Sequence, residues 1–439
     1  MKFTKFLAVV MALALCLSMI VACDNGNTPA DSSAAPAGTS AEPAGTTAAP
    51  AGTSTEPAAT SADPAETTTA APETSTTPVD VDPATAEAKI GDTLYATLDD
   101  AFDAVQVGET VELLMDLTRE IGVFPFCEGA FTFDGCGHKI TANIFGAAFF
   151  TPLGGEILVK NLDIDYTETS ESTGALGVIS IPSDVKVTLE NCNFTALKNN
   201  CLYVSGSKGE LIVNSGKYIV DASNDVAYSN TLDLRGICTI NGGEFRRDNA
   251  TYNRALVRNE KNTELTINDG TFYTALGRLV FFNSNCASDA RIVTINGGTF
   301  ECGTTDTLPE GITVQAFFNV TNSKGGTINI NGGEFTVKSG VVADMFGISK
   351  NDTLINITGG TFNNGAGKLM SITGTGCVAT IKGGKFINTE DTAMFEGVEG
   401  TIVIEAGEFS CASAADADAV KLYAGAAKVT DVAGIITVG

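Results

Sequence analysis

The residues best suited to chemistry lie close together in this chain. Seven of its eight arginines fall between positions 235 and 291: Arg235, Arg246, Arg247, Arg254, Arg258, Arg278 and Arg291. A guanidinium fork matches a carboxylate or sulfate with paired hydrogen bonds. Arg235, Arg246, Arg247, Arg254, Arg258 and Arg278 are therefore the candidate ligand-binding residues, for an anionic glycan such as a uronate polymer. Carboxylates are interleaved with them at Asp233, Glu244, Asp248 and Glu260. The same residues thus also fit a solvated network of local ion pairs. Arg235 follows Leu234, and Arg258 follows Val257, in matching apolar segments. On that alignment the two arginines are expected to stack on one outer face. The single histidine, His138, stands in Gly137-His138-Lys139 and reads as a turn or surface residue. The chain has no Gly-rich phosphate loop, no Ser–His pairing and no Cys/His metal spacing.

The elements that must position these residues are written as a repeat. A strand–turn–aromatic phrase, Thr239-Ile240-Asn241-Gly242-Gly243-Glu244-Phe245, recurs at Thr266 to Phe272, Thr294 to Phe300, Asn329 to Phe335, Asn356 to Phe362 and Thr380 to Phe386. Looser copies end at Phe194, Tyr218 and Phe409. The closing aromatics are 24, 27, 27, 28, 35, 27, 24 and 23 residues apart. A period of that size marks a solenoid, whose units bury their apolar faces against their neighbours. Apolar residues stand seven and five positions before the aromatic, as in Cys238 and Ile240, Leu265 and Ile267, or Ile328 and Ile330. That is the period of a strand with one buried face. Two positions before the aromatic, Gly216, Gly243, Gly270, Gly298, Gly333, Gly360, Gly384 and Gly407 mark a bend, and Cys192 holds that place in the ninth copy.

Asn214, Asn241, Asn268, Asn296 and Asn331 stand four positions before the aromatic in five successive copies. Stacked at about 4.8 Å per coil, such side chains can hydrogen-bond into a ladder. The aromatics predict a second ladder inside. The expected fold class is all-β: a right-handed parallel β-helix of about twelve coils with a short N-terminal capping helix. Thr97 to Gln106 is the expected cap. Thr97 caps it, Leu98, Ala101, Phe102 and Val105 form its apolar stripe, and Gly108 ends it.

These repeats resemble the right-handed parallel β-helix superfamily typified by pectate lyases, whose turns carry Asn ladders. Lys89 to Ala101, continuing to Val111–Asp116, resembles the opening module of many bacterial surface β-helix proteins. Phe131 to Thr141 resembles their first full coil. The resemblance covers about 89–439. It implies the fold and leaves the activity open, because the superfamily includes lyases, hydrolases, adhesins and binding proteins. Its lyases use Ca²⁺ held by carboxylates, with an Arg or Lys as base. On that resemblance Asp233, Asp248 and Glu260 are the calcium candidates, and Arg258, Asp233 and Asp248 the catalytic ones. No family catalytic motif maps onto these positions. The paired Asp and His-Gly of the related hydrolases are not matched either, since Asp99-Asp100 falls in the cap.

Residues 1–22 resemble a bacterial lipoprotein signal peptide. Lys2 and Lys5 precede an apolar Phe6 to Val21, and Ile20-Val21-Ala22-Cys23 resembles a lipobox, implying lipid on Cys23. Residues 23–88 read as a tether. Pro29, Pro36, Pro43, Pro50, Pro57 and Pro64 recur every seven residues in an Ala/Thr/Ser/Gly background that cannot bury a core. Extended, it would reach roughly 200 Å at about 3.1 Å per residue. The cap is expected over 89–110 and the β-helix over 111–439.

The net charge is −26, and the tether carries ten acidic residues with no Lys or Arg. So acidic a chain excludes a nucleic-acid partner. Nine cysteines follow Cys23, an odd number with no disulfide spacing. They are expected as free thiols, with Cys127–Cys136 and Cys192–Cys201 as the alternative pairs. The expected function is a membrane-anchored, extracytoplasmic surface lipoprotein. Its β-helix would bind polysaccharide, an acidic one through the arginines, or another surface ligand, without catalysis. The alternatives are a Ca²⁺-dependent polysaccharide lyase and a structural or adhesin rod.

Overall fold

The computed structural model describes residues 81–169, 177–197, 199–221, 230–248, 255–260, 262–282, 291–304, 314, 316–320, 325–338, 341, 343–365, 367–388, 394–397, 399–410, 429–432 and 435–438. The signal segment, Cys23, the proline-rich stretch to position 80, Arg254, Cys286 and Cys411 lie outside the described residues. The compact unit that holds the described residues is Val81–Gly439. It is a parallel β-solenoid of about nine turns, with one short helix among the described residues.

Each full turn has three faces. The first is built from strands such as Ile237–Ile240, Thr263–Ile267, Arg291–Ile295 and Gly326–Ile330. The second follows the glycine bend, with Glu244–Arg247, Thr271–Thr274, Thr299–Cys302 and Glu334–Val337. Hydrogen bonding joins these two faces into one 26-stranded sheet, because Val378–Asn388 and Thr401–Ser410 run round the bend as single long strands. The third face is a separate nine-stranded sheet running from Gly177–Ile181 to Phe395–Gly397. The expectation of about twelve coils spread the repeat period of about 27 residues evenly over the whole stretch from Thr110 onward. In the N-terminal coils the third face shrinks to single bridges, Val123 to Phe150 and Phe150 to Ile179, so complete turns are fewer.

Alternation places the core where the repeat predicts it. Ile240, Ile267, Ile295 and Ile330 are fully buried, as are Phe245, Phe272, Phe300 and Phe335. The rings stack at 5.0, 4.7 and 4.6 Å between centroids along Phe245, Phe272, Phe300 and Phe335. The stack continues through Phe362 and Phe386 to Phe409 at 4.8, 4.8 and 4.9 Å. At the bend, each Asn amide donates to the Asn carbonyl of the preceding coil. The distances are 2.9 Å for Asn241 to Asn214, 2.8 Å for Asn268 to Asn241 and 2.8 Å for Asn296 to Asn268. Asn331 joins Asn296 at 2.9 Å, and Thr358 closes the ladder on Asn331 at 2.9 Å. Bend glycines are required by conformation: Gly298 has φ +103°, and an added Cβ would lie 3.0 Å from the Gly270 carbonyl oxygen. Cys192 escapes this because its coil moves the left-handed residue back to Asn191, φ +52°. Asn191 then starts a separate pair with Asn161 at 2.9 Å.

Both ends are closed by antiparallel pairing, which blocks further strand addition. At the N-terminal end Ala88–Ile90 pairs antiparallel with both Thr93–Tyr95 and Thr110–Leu113. Helix α1, Leu98–Ala104, is capped as expected, with Thr97 accepting from the Asp100 amide. Phe102 packs edge-on against Phe133 at 5.0 Å. The compact unit starts before residue 89: Ala86 and Ala88 are buried, and Glu87 accepts from the Leu98 amide at 2.8 Å. Residues 81–88 therefore belong to the solenoid cap and not to the tether, because they supply its edge strand. At the other end Ile435–Val438 pairs antiparallel with Thr401–Ser410 and with Val429–Val432.

The two ladders differ in what they contribute. Phe300→Ala opens a cavity between stacked rings and is expected to cost about 3–5 kcal/mol. Asn296→Ala removes two exposed side-chain hydrogen bonds and is expected to cost no more than about 2 kcal/mol. Urea denaturation of the two variants checks the order; equal losses would show that the outer ladder carries as much of the stability as the inner one.

Candidate functional site

The arginines are placed by strand register. Leu232–Leu234 pairs in parallel with Val257–Asn259, so that Leu232 meets Val257, Asp233 meets Arg258 and Leu234 meets Asn259. Asp233, not Arg235, is thus the neighbour of Arg258, and the expected Arg235–Arg258 stack is not formed. The slip is two residues. A two-residue slip preserves which side chains point outward, so alternation alone cannot detect it. Arg258 donates from Nη1 to Asp233 Oδ2 at 3.0 Å and from Nη2 to Glu260 Oε1 at 2.7 Å. Arg235 lies over the Tyr203 ring, 5.3 Å from its centroid.

This group of two cations and two carboxylates is nearly closed to solvent. Asp233 is fully buried and the Arg258 side chain is 16 % exposed. Among the described residues, Asp233 Oδ1 and Arg235 Nε have no hydrogen-bond partner. Burial pushes the Asp233 carboxyl above its ordinary value, outweighing the guanidiniums of Arg258 and Arg235. The charge of Arg258 is shared between two carboxylates, which leaves little of it for an external anion.

The remaining candidates are dispersed. Arg246 points out from the second face, pairs with Asp248 at 2.9 Å and Glu244 at 3.5 Å, and covers the Tyr273 ring at 4.9 Å. Arg247 and Arg291 are completely buried. Arg291 Nε donates to the Glu260 carbonyl at 2.8 Å. Arg278 occupies a left-handed turn position, φ +54°, and is half-buried. The six arginines named as one binding face therefore occupy different faces and corners, apart from Arg254, which is outside the described residues. The calcium candidates are also separated. Asp248 is held by Arg246, while Arg258 bridges Asp233 and Glu260. Among the described residues no group of three or more His, Cys, Asp or Glu is placed to hold a metal.

His138 lies at a turn as expected, with Nδ1 3.2 Å from Asp116 Oδ1. The seven described cysteines, Cys127, Cys136, Cys192, Cys201, Cys238, Cys302 and Cys377, are all free, so neither alternative disulfide is present. Burial pushes the thiols of Cys192 and Cys302 up to about 12. Such thiols are structural rather than reactive.

One surface was not singled out from the sequence. On the outer side of the first face, Thr239, Thr266, Thr294, Asn329, Asn356 and Thr380 stand in strict register. They alternate with buried residues and are partly or fully exposed. Two positions earlier run Ile237, Glu264, Ile292, Thr327, Leu354 and Val378, also in register. The Asn ladder lies two positions later. The signal was present as the outward residue of each phrase, but the repeat was read for its core. Nearer the N-terminus the same face is charged: Lys186 lies 3.9 Å from both Glu156 and Glu210. A shallow depression of about 200 Å³ opens there, lined by Thr132, Glu156, Leu158, Lys186 and Thr188. It holds no pair of groups suited to acid–base work. No family model matches the chain, and neither the curated proteins nor the solved structures contain a match.

Two substitutions test the buried charge group. Arg258→Ala removes the guanidinium bonded to two buried carboxylates, leaving Arg235 as their neighbouring cation, and is expected to cost about 3–5 kcal/mol. For Asp233 the raised value means that its contribution to stability is complete at pH below its unfolded value, and is lost as pH rises through the folded one. Asp233→Asn should therefore gain melting temperature relative to the parent as the pH rises above about 4, the ordinary carboxylate value. A parent protein that gains on the variant over that range would show that the ion pair outweighs burial.

Proposed function

We propose that this chain is a membrane-anchored, extracytoplasmic protein, held by lipid on Cys23, whose solenoid binds polysaccharide or another surface ligand without cleaving it. The observation that carries the binding reading over the lyase reading is the double engagement of Arg258. A base must offer a lone pair to a C–H proton. A guanidinium clamped between Asp233 and Glu260 is held in its cationic form and faces its partners. Of the carboxylates that would have held calcium, Asp233 and Glu260 are occupied by the same clamp and Asp248 is paired with Arg246. Binding needs only an accessible, ordered surface, and a stacked solenoid supplies long ones.

The tether and lipid complete the reading. A proline-rich stretch after Cys23 separates the folded unit from the membrane, and lipid on a single cysteine provides the hold. Cys23→Ala is expected to release the protein from the membrane fraction or to leave the precursor uncleaved. Unchanged detergent partitioning together with unchanged mass would rule out the lipid. A panel of neutral and acidic glycans, with and without Ca²⁺, is expected to give binding. No rise in absorbance from unsaturated sugar products should accompany it. Product formation would make the chain a lyase, and neither binding nor product would leave a purely structural rod.

A further inference from the structure

The outer side of the first face differs chemically from the rest of this acidic protein. Across six coils its central column is Thr239, Thr266, Thr294, Asn329, Asn356 and Thr380. Beside it stands the amide ladder of Asn241, Asn268, Asn296 and Asn331, closed by Thr358. On the other side run Ile237, Glu264, Ile292, Thr327, Leu354 and Val378. Glu264 and, at the end of the ladder column, Lys382 are the charged residues of these columns. The chain as a whole carries a net charge of −26, so a surface of this length with one carboxylate and one lysine is set apart from its surroundings.

Each column has a definite chemical character. A Thr hydroxyl or an Asn amide both donates and accepts hydrogen bonds, as a sugar hydroxyl does. The columns are about 6.6 Å apart along the strands, and their members about 4.8 Å apart from coil to coil. In the apolar column Ile237, Ile292 and Leu354 are 40, 42 and 45 % exposed. From Ile237 to Leu354 they occupy every second coil, with Glu264 and Thr327 between them, a repeat of about 9.6 Å on the strand spacing, before Val378 follows in the next coil. In an extended β-1,4-linked glycan successive sugars are flipped. Each sugar advances by close to one coil spacing, and the same C–H face returns at every second sugar. The aliphatic side chains match that alternation, while the Thr and Asn columns meet the hydroxyls at every sugar.

We propose that this face is a binding site for a neutral, extended β-1,4-linked polysaccharide lying along the solenoid axis. The proposal rests on the polysaccharide-binding reading above and names its site and ligand class. An acidic polymer is disfavoured here, because the face offers no arginine and a single lysine, Lys382, at its end, set against Glu264 and a chain of strongly negative charge. The chain has no Trp, so the aliphatic residues and the hydrogen-bonding columns take the place of an aromatic sugar platform.

The test uses the full-length protein in depletion assays on insoluble cellulose and chitin, with soluble polygalacturonate as the acidic probe. Four variants are compared: Thr266→Glu, Ile292→Glu, Thr266→Ser and, on the second face, Thr336→Glu. All of these side chains point outward, and melting temperatures confirm that each variant is folded. The expected result is that the parent binds cellulose or chitin. Thr266→Glu and Ile292→Glu then weaken binding at least tenfold, about 1.4 kcal/mol, while Thr266→Ser and Thr336→Glu bind as the parent does. Undiminished binding by Thr266→Glu and Ile292→Glu overturns this site while leaving the polysaccharide reading intact. Binding of polygalacturonate alone overturns the ligand class. If the parent binds no glycan, the polysaccharide reading itself fails. A parent dimer that Thr266→Glu dissociates, without glycan binding, makes the face a contact between copies and also overturns the proposal.

Discussion

Parallel stacking at a single coil spacing is the constraint on which this structure depends. Each side chain sits about 4.8 Å from its counterparts in the coils above and below. A residue type must therefore either tolerate its own kind at that distance or meet a complement. Phenylalanine tolerates itself: the rings of Phe300 and Phe335 are 4.6 Å apart and 4° from parallel. Asparagine complements itself, since the amide of one coil donates to the carbonyl of the next. Lone charges do neither. They appear with alternating sign, as in Glu156, Lys186 and Glu210, or Lys217 beside Glu244.

The same constraint explains the arginines. Two of them directly stacked would repel, and the register puts Asp233 beside Arg258 instead. Arg247 and Arg291 occupy buried positions where small or apolar residues stand in other coils. Arg247 is in register with Val220 and Thr274, and Arg291 with Thr263. The bond from Arg291 Nε to the Glu260 carbonyl shows what a buried guanidinium contributes there: a donor for a corner carbonyl, beside the Thr263 hydroxyl. An arginine-rich segment in an acidic solenoid is, on this view, largely a set of internal solutions to pairing and backbone satisfaction. The face where self-compatible neutral residues repeat is the one proposed above to take a ligand.

Much of the fold was legible in the chain. The spacing of Phe245, Phe272 and Phe300 implied the coil, the alternation around Ile240 and Ile267 implied the buried side, and Asn241 to Asn331 implied the ladder. These are one-dimensional signals, because each coil repeats its predecessor's local conformation. The count of complete turns was less legible. A short third-face contact such as Val123 with Phe150 leaves no periodic trace.

The candidate site divides along the same line. Residue identity and inward or outward parity are properties of the sequence, since side chains alternate strictly along a strand. From them alone came the buried phenylalanines, the capping Thr97 and the outward placement of Arg258. Which outward residues touch is a matter of register between coils, set by backbone hydrogen bonds such as those from Leu232 to Leu256 and from Glu260 to Leu234. A slip of two residues conserves every parity and yet exchanges Arg235 for Asp233 as the neighbour of Arg258. Only the tertiary structure could decide that pairing, and with it whether the guanidinium is open to a ligand or already held.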